Sequence, residues 1–528
     1  MTTKINKIVI VGGGSAGWMT AATLISRFPN KDITLIESAN IATVGVGEST
    51  IGGINDWCNL IGIKDTDFMK FTDASYKLSI RFTDFYRKDA GSFHYPFGFP
   101  NTEGNTSNKN DWYFKKFLNP DLPTSDYAEC MFPAMGLVNN NKFTKNLDNR
   151  IPGFSQQSST AYHFDATKFG LWLKDHFAKP KGAKHILADV VDIITDADGI
   201  KTLTLSTGDT VSSDLFIDCT GFKSLLLSQT MKEPFESYED LLPNNSAWAT
   251  RVEYADKEKE LAPYTDCHAI GNGWVWNIPL WSRIGTGYVY SDKYISDQGA
   301  LEEFKIHLQS KGRNTDTLKF KNIKMRVGLH NRLWVKNVCA IGLAAGFIEP
   351  LESNGLYTVH EFLLKLVRVL GRADYISQWD KDVFNATCKD QFRRFAEFVA
   401  LHYALSHRDD TAYWRDVTSR SIADNVIQQR WWPGTPTISD SIFQRMTEYY
   451  YTNDKSGFHC IFTGMNCFPT DLHLIASHGP VDDLATFFKQ SADALDRKRE
   501  QWQEACKDAP KLVDYLAEMY KDTSVEVV

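Results

Sequence analysis

Apolar and polar positions follow three rhythms along this chain, and each predicts a different kind of element. Residues 5–11 (INKIVIV) are a short β-branched and apolar run ending at Gly12, the pattern of a buried strand. Trp18, Ala21, Ala22, Ile25 and Phe28 then recur at helical spacing until Pro29 closes the segment. Residues 33–36 (ITLI) repeat the strand pattern and end in Glu37. Strand, helix and strand in that order predict a β-α-β unit opening a doubly wound sheet. Residues 185–222 return to strands and turns, finishing in DLFIDCTGF. From about 356 the rhythm turns helical. Segments 357–370 and 387–405 carry apolar residues at i, i+3, i+4 spacing, for example Phe392, Phe395 and Val399, and 483–520 adds two more amphipathic stretches.

The expected architecture is α/β. A sheet-containing unit with mixed sheets covers residues 1–355, and a mainly helical unit over 356–528 completes the substrate side. A surface excursion is expected at about 100–155, because residues 100–130 are rich in Asn, Thr, Gly and Asp. No internal repeat or low-complexity stretch interrupts this division.

The first strand-to-helix turn carries chemistry. Gly12-Gly13-Gly14-Ser15-Ala16-Gly17 matches G-x-G-x-x-G. Gly12 permits the tight turn, Gly14 lets the backbone approach a pyrophosphate, and Gly17 lets helix and strand pack closely. The amides of Ser15, Ala16 and their neighbours at the helix start face the phosphates, where the helix dipole favours negative charge. Glu37, twenty residues after Gly17, can accept from both ribose hydroxyls. The motif alone does not separate FAD from NAD. With one such fingerprint in the chain, and a 214–222 segment resembling the second strand–turn element of FAD-dependent oxygenases, FAD is the expected dinucleotide.

Bulk composition narrows the field. At 528 residues the chain exceeds what one core usually supports. A content of 43% hydrophobic and 23% charged residues is that of a globular protein. The formal net charge of −7 gives no support for nucleic-acid or anionic-membrane binding. Nine cysteines, an odd number without a CxxC pair, fit reduced thiols, no metal site and a cytoplasmic protein. No run of eighteen apolar residues suggests a membrane span.

Further segments make a resemblance specific. Gly-Trp-Val-Trp-Asn-Ile-Pro (273–279) matches the W-x-W-x-I-P signature of flavin-dependent halogenases at Trp274, Trp276, Ile278 and Pro279. Phe-Ile-Glu-Pro-Leu-Glu-Ser-Asn-Gly (347–355) matches their F-x-x-P-x-x-S-x-G element. Thr-Val-Gly-Val-Gly-Glu-Ser-Thr (43–50) looks like their flavin strap, and Ser-Tyr-Lys-Leu (75–78) places Lys77 where the family carries its catalytic lysine. Gly-Phe-His-Cys-Ile-Phe-Thr-Gly (457–464) extends the match toward the C-terminus. The chain thus resembles that family, and most of all its tryptophan-halogenase branch.

The resemblance implies a mechanism and roles. Reduced FAD (FADH2), supplied by a separate and transiently bound flavin reductase, reacts with O2 to a flavin hydroperoxide; a halide ion attacks it and forms hypohalous acid. Lys77 then hydrogen-bonds that species or becomes a haloamine, and an electron-rich ring takes the halogen. Burial of a lysine favours its neutral amine, which suits the second route. Glu352 resembles the second catalytic residue, holding Lys77, stabilising the cationic ring or accepting its proton. The family's halide site corresponds to the backbone of Asn354 and Gly355. Val44, Gly45, Val46, Gly342 and Ile348 join the glycine turn and Glu37 in holding the cofactor. Tyr95, Phe97, Phe458 and His459 are expected in the substrate pocket, and Trp274 with Trp276 as a barrier beside the flavin.

Three departures qualify the match. Tyr95 and Phe97 stand where the tryptophan halogenases carry a His and a Phe. Tyr449, Tyr450 and Tyr451 are followed after only six residues by Phe458-His459-Cys460, leaving no room for the Glu and Trp with which the family grips an amino acid. Charged groups without partners in a pocket are costly, so indoles and other small aromatics are expected as substrates and free tryptophan is not. Leu343 replaces the Asp that many FAD oxygenases place after Gly342. Bromide, chloride and iodide all stay open, as does a homodimer. The competing readings are a flavin-dependent aromatic monooxygenase that transfers oxygen directly, and a flavin-binding protein without turnover.

Overall fold

A computed structural model describes residues 3–40, 47–100, 109–145, 154–372, 375–423, 457–467 and 484–521. The chain divides into two compact units, each assembled from distant segments: residues 1–74, 163–247 and 322–396 in the first, and 75–162, 248–321 and 397–528 in the second. Both units take chain from either side of residue 355, where the sequence reading divided it. The physical reason is that a parallel sheet recruits strands across long crossovers, and periodicity reports elements without their partners.

The first unit is built on a six-stranded sheet. Its order is Trp334–Val335, Val338–Ala340, Leu215–Asp218, Lys7–Val11, Asp32–Glu37 and Lys184–Leu187. All neighbours are parallel except the outermost Trp334–Val335 pair. Ile8, Val9 and Ile10 are fully buried, as a central parallel strand covered on both faces requires. The predicted β-α-β unit is present as Lys7–Val11, the helix Ser15–Arg27 and Asp32–Glu37. Trp18, Ala21 and Ala22 line the helix face turned to the core. The predicted helix after residue 356 is Tyr357–Arg372.

In the second unit five neighbouring strands run in the order Ile284–Tyr290, Gly273–Pro279, Tyr264–Ile270, Ser79–Thr83 and Ser92–Pro96. Register divides their two faces. Trp276 pairs with Cys267 and Gly287, and Cys267 with Phe82, giving one apolar face. Asn277 pairs with Asp266, and Asp266 with Arg81, giving a polar one. On that polar face Arg81 donates to Asp266 at 2.8 Å and to the Tyr264 hydroxyl at 2.9 Å.

The excursion expected at 100–155 is corrected. Its described part forms helices Lys109–Leu118, Asp126–Met131 and Met135–Val138, and Trp112, Tyr113 and Phe114 are buried to 3% exposure or less. Composition misled because the polar residues there include a buried charge cluster. Lys115 Nζ contacts Asp126 at 2.9 Å and Asp496 at 2.7 Å, while Arg499 reaches Asp126 at 2.8 Å and Trp112 Nε1 donates to it at 2.9 Å. This hub ties two of these helices to the helix Leu484–Ala505. All nine cysteines are free thiols. Among the described residues no helix is long and apolar enough to cross a membrane.

Removing one partner from a buried ion pair leaves the others uncompensated, a loss of about 3–5 kcal/mol. Asp126→Ala should therefore lower the urea-unfolding free energy by about that much, and Asp126→Asn by clearly less because it keeps hydrogen bonding. Equal losses would place the energy in packing instead of charge.

Candidate active site

The glycine turn of the first unit has the shape a dinucleotide phosphate needs. Gly12 adopts φ 117°, and a Cβ there would lie 2.2 Å from the Cys219 carbonyl oxygen. A Cβ on Gly17 would lie 1.9 Å from the Gly12 oxygen, so only glycine lets the helix start this close to the strand. Gly14 behaves differently. A Cβ there would meet no protein atom within 4 Å, so this face of the turn is open for a ligand. The Ser15 hydroxyl donates to the Ala166 carbonyl at 3.0 Å, which fixes the helix start. Gly342, at φ 73°, packs against Ala16 so closely that a Cβ would sit 2.8 Å from the Ala16 methyl.

Glu37 folds back over the same turn, since a Cβ on Gly13 would fall 2.3 Å from its Cδ. Its carboxylate lies 2.8 Å from His185 Nε2 and 3.5 Å from Lys174 Nζ. Burial and the Lys174 charge hold the His185 pKa below its ordinary value. Gly12, Gly14, Ser15, Ala16, Gly17, Glu37 and Gly342 thus come together as one cradle, which fits the adenosine diphosphate portion of FAD. Ile348 is buried. Val44, Gly45 and Val46 lie outside the described residues.

A second feature of this unit is the turn after Phe347. Pro350–Glu352 forms one 3-10 turn, and Ser353 then takes left-handed geometry at φ 58°, ψ 36°. That reversal turns successive backbone amides outward, the arrangement that favours anions. Among the described residues the Asn354 and Gly355 amides meet no acceptor. Glu352, Ser353 and Asn354 are buried to 3% exposure or less, and the Asn354 amide group donates to the Ile348 carbonyl at 3.4 Å. Glu352 therefore shares its turn with both residues expected at the halide.

Lys77 and the expected substrate residues meet in the second unit. Lys77 closes the strand Ser75–Lys77 with no exposed surface. That strand is anchored by Ser75 Oγ donating to the Pro279 carbonyl at 2.5 Å, at the end of the tryptophan strand. The Lys77 ammonium sits 4.9 Å from the centroid of the Phe97 ring, within cation–π range. Phe97 is edge-on to Tyr95 at 6.4 Å, Tyr95 to Phe398 at 6.1 Å, and Phe398 is tilted against Phe458 at 5.0 Å. A Cβ on Gly457 would lie 2.8 Å from the Tyr95 hydroxyl, so the helix Gly457–Gly464 can reach these rings only through a glycine.

His459 joins from the other side of that helix, with Nδ1 2.8 Å from the Tyr113 hydroxyl and its ring stacked 6.3 Å from Tyr127. Burial pushes the Tyr113 and Tyr127 hydroxyls well above their ordinary pKa, so both stay protonated. Trp274 and Trp276 lie on one face of their strand with centroids 6.3 Å apart, and the Trp276 ring covers Gly287. Sequence reading missed Phe398, Tyr113, Tyr127 and Glu48. An aromatic at helical spacing is indistinguishable from core, and Tyr113 sits in the segment read as an excursion. The only signal for Glu48 was its place in the strap-like segment. Tyr449, Tyr450 and Tyr451 lie outside the described residues.

The family model described as tryptophan halogenase matches residues 7–480 of this chain. The 7-chloro-L-tryptophan 6-halogenase KtzR of Kutzneria sp. (strain 744) is 33% identical over 486 residues, covering 87% of this chain and 90% of its own. The solved apo structure of VirX1 superposes with TM-score 0.86 at 37% identity, over 98% of this chain and 99% of that one. BrvH, a flavin-dependent halogenase from Brevundimonas sp. BAL3, gives TM-score 0.80 at 29% identity, over 98% and 99%.

Two glycine substitutions separate fold from ligand. Gly14→Ala should leave the melting temperature unchanged yet weaken FAD binding by roughly tenfold or more, about 1.4 kcal/mol, in a flavin-quenching titration. Gly12→Ala should destabilise the fold itself, because it combines a left-handed φ with a carbonyl collision.

Proposed function

Because the chain belongs to the tryptophan halogenase family, whose members halogenate aromatic rings with flavin, we propose that it halogenates electron-rich aromatics such as indoles through Lys77. FAD reduced by a separate reductase is the cofactor of this reading, with halide and O2 as co-substrates. When bound and reduced, the flavin supplies the two-electron chemistry that converts halide into an electrophile. The glycine turn and Glu37 hold its dinucleotide end, and the Asn354 and Gly355 amides hold the halide. Amide dipoles fix an anion without the full counter-charge that would quench its nucleophilicity.

The observation that carries the reading is Lys77, an ammonium without solvent contact beneath the Phe97 ring. Its burial keeps bulk water from the amine, so the hydrogen bonds it makes act in a low dielectric. Here the amine polarises the O–X bond of hypohalous acid or becomes a haloamine, presenting halogen to a ring. Phe97, Tyr95, Phe398 and Phe458 offer apolar faces against which a flat aromatic stacks. Glu352 is the candidate for stabilising the ring cation or taking its proton. Trp274 and Trp276 are the candidate barrier residues of this reading.

Free tryptophan is a poor substrate in this reading, although relatives such as KtzR act on a tryptophan derivative. The six residues between Tyr451 and Phe458, Thr-Asn-Asp-Lys-Ser-Gly, contain neither the Glu nor the Trp with which the family grips an amino acid.

A turnover panel of indole and free tryptophan against chloride, bromide and iodide, with an added flavin reductase, tests the proposal. Halogenated indole is expected, with kcat/KM for free tryptophan about 100-fold lower or more. A hydroxylated product formed without halide would establish direct oxygen transfer instead.

A further inference from the structure

The strap-like segment contributes one carboxyl group whose position the mechanism above does not use. Glu48 lies on the short strand Glu48–Ser49, which pairs antiparallel with Phe164 and His163. Its side chain crosses the turn that carries the halide-site amides, since a Cβ on Gly355 would lie 3.0 Å from Glu48 Oε2. Glycine at 355 is what allows the carboxyl to lie there. Among the described residues no donor or cation reaches the Glu48 oxygens. An acid set directly over an anion site is unusual, because its ionised form repels what the amides attract.

Titratable groups stand on the strand paired with Glu48, on the helix that follows it, and on the turn and helix around Gly355. They are His163 and Asp165 on the paired strand and the residue after it, Asp56 on the helix Ile54–Ile61, Glu349 and Glu352 around the turn, and His360 and Glu361 on the helix Tyr357–Arg372. None of these charges sets its titration; enclosure alone raises the Glu48 pKa to about 7. In the neutral form its hydroxyl can donate to an anion held on the Asn354 and Gly355 amides.

We propose that Glu48 gates the halide site by protonation, admitting halide while it is neutral and excluding it once ionised. The inference rests on the reading of Asn354 and Gly355 as the halide site. The sign follows from an acid with a raised pKa: it is neutral below about 7 and charged above, so halide affinity is full in mild acid and falls as pH rises. If only the neutral form binds, the apparent Kd weakens about 30-fold between roughly pH 6 and 8.5.

Bromide titrations of the FAD-loaded protein test this, read by 81Br line width and by the absorbance of bound oxidised flavin. They would use wild type, Glu48→Gln and Gly355→Pro, which removes the residue 355 amide hydrogen, each checked for an intact fold by circular dichroism. Wild type should show the pH-dependent loss. Glu48→Gln, always neutral, should bind at every pH with the affinity wild type has in acid. Gly355→Pro should lose bromide throughout. If Gly355→Pro binds as wild type does, the halide site lies elsewhere and both readings fall. If it loses bromide while Glu48→Gln keeps the wild-type pH slope, or if wild type shows none, the halide site stands and the gate is wrong.

Discussion

The proposed chemistry depends on one constraint: a lysine side chain is held away from water beside an aromatic ring. Lys77 has no exposed surface, and its nearest described ring is Phe97 at 4.9 Å. In a low-dielectric setting the hydrogen bonds of such a group are strong. The surrounding design follows. The strand of Lys77 is anchored through Ser75 to Pro279, so the amine is carried by sheet backbone and not by a loop. The rings of Tyr95, Phe398 and Phe458 continue from Phe97, and Gly457 lets the helix Gly457–Gly464 close on them.

The cofactor unit obeys a second rule, in which glycines are placed where a side chain would strike something. Gly12 and Gly17 are dictated by backbone oxygen atoms less than 2.5 Å from any added Cβ. Gly14 is not: a Cβ there would meet no protein atom within 4 Å. Gly355 joins the first group through a side chain, that of Glu48. Collision therefore separates Gly12 and Gly17, fixed by the fold, from Gly14, which the fold leaves open for the proposed cofactor.

These two rules explain how far the sequence could be read. The β-α-β unit was legible because its signals are local: an apolar run, a helical stripe and a fixed glycine spacing within residues 5–37. The partition into units was not, because strands 7–11, 184–187, 215–218 and 334–340 share one sheet across hundreds of residues. Segment 109–138 reads as polar while its helices are buried, since Lys115 and Asp126 neutralise one another inside. For the candidate site, Lys77, Glu352 and the pocket rings are proposed through motif resemblance alone. Phe398 and Tyr113 carry no mark that separates them from core aromatics. Glu48 becomes visible only when the turn at Gly355 is placed beside it.

The most direct measurement of the central claim is a single turnover of Lys77→Ala with reduced FAD, O2, bromide and indole. Removal of the amine should leave FAD affinity and flavin reoxidation within about twofold of wild type while brominated indole falls about 100-fold or more, the scale of a lost proton-handling or halogen-delivering group. Brominated product at the wild-type yield would contradict it and take Lys77 out of the chemistry.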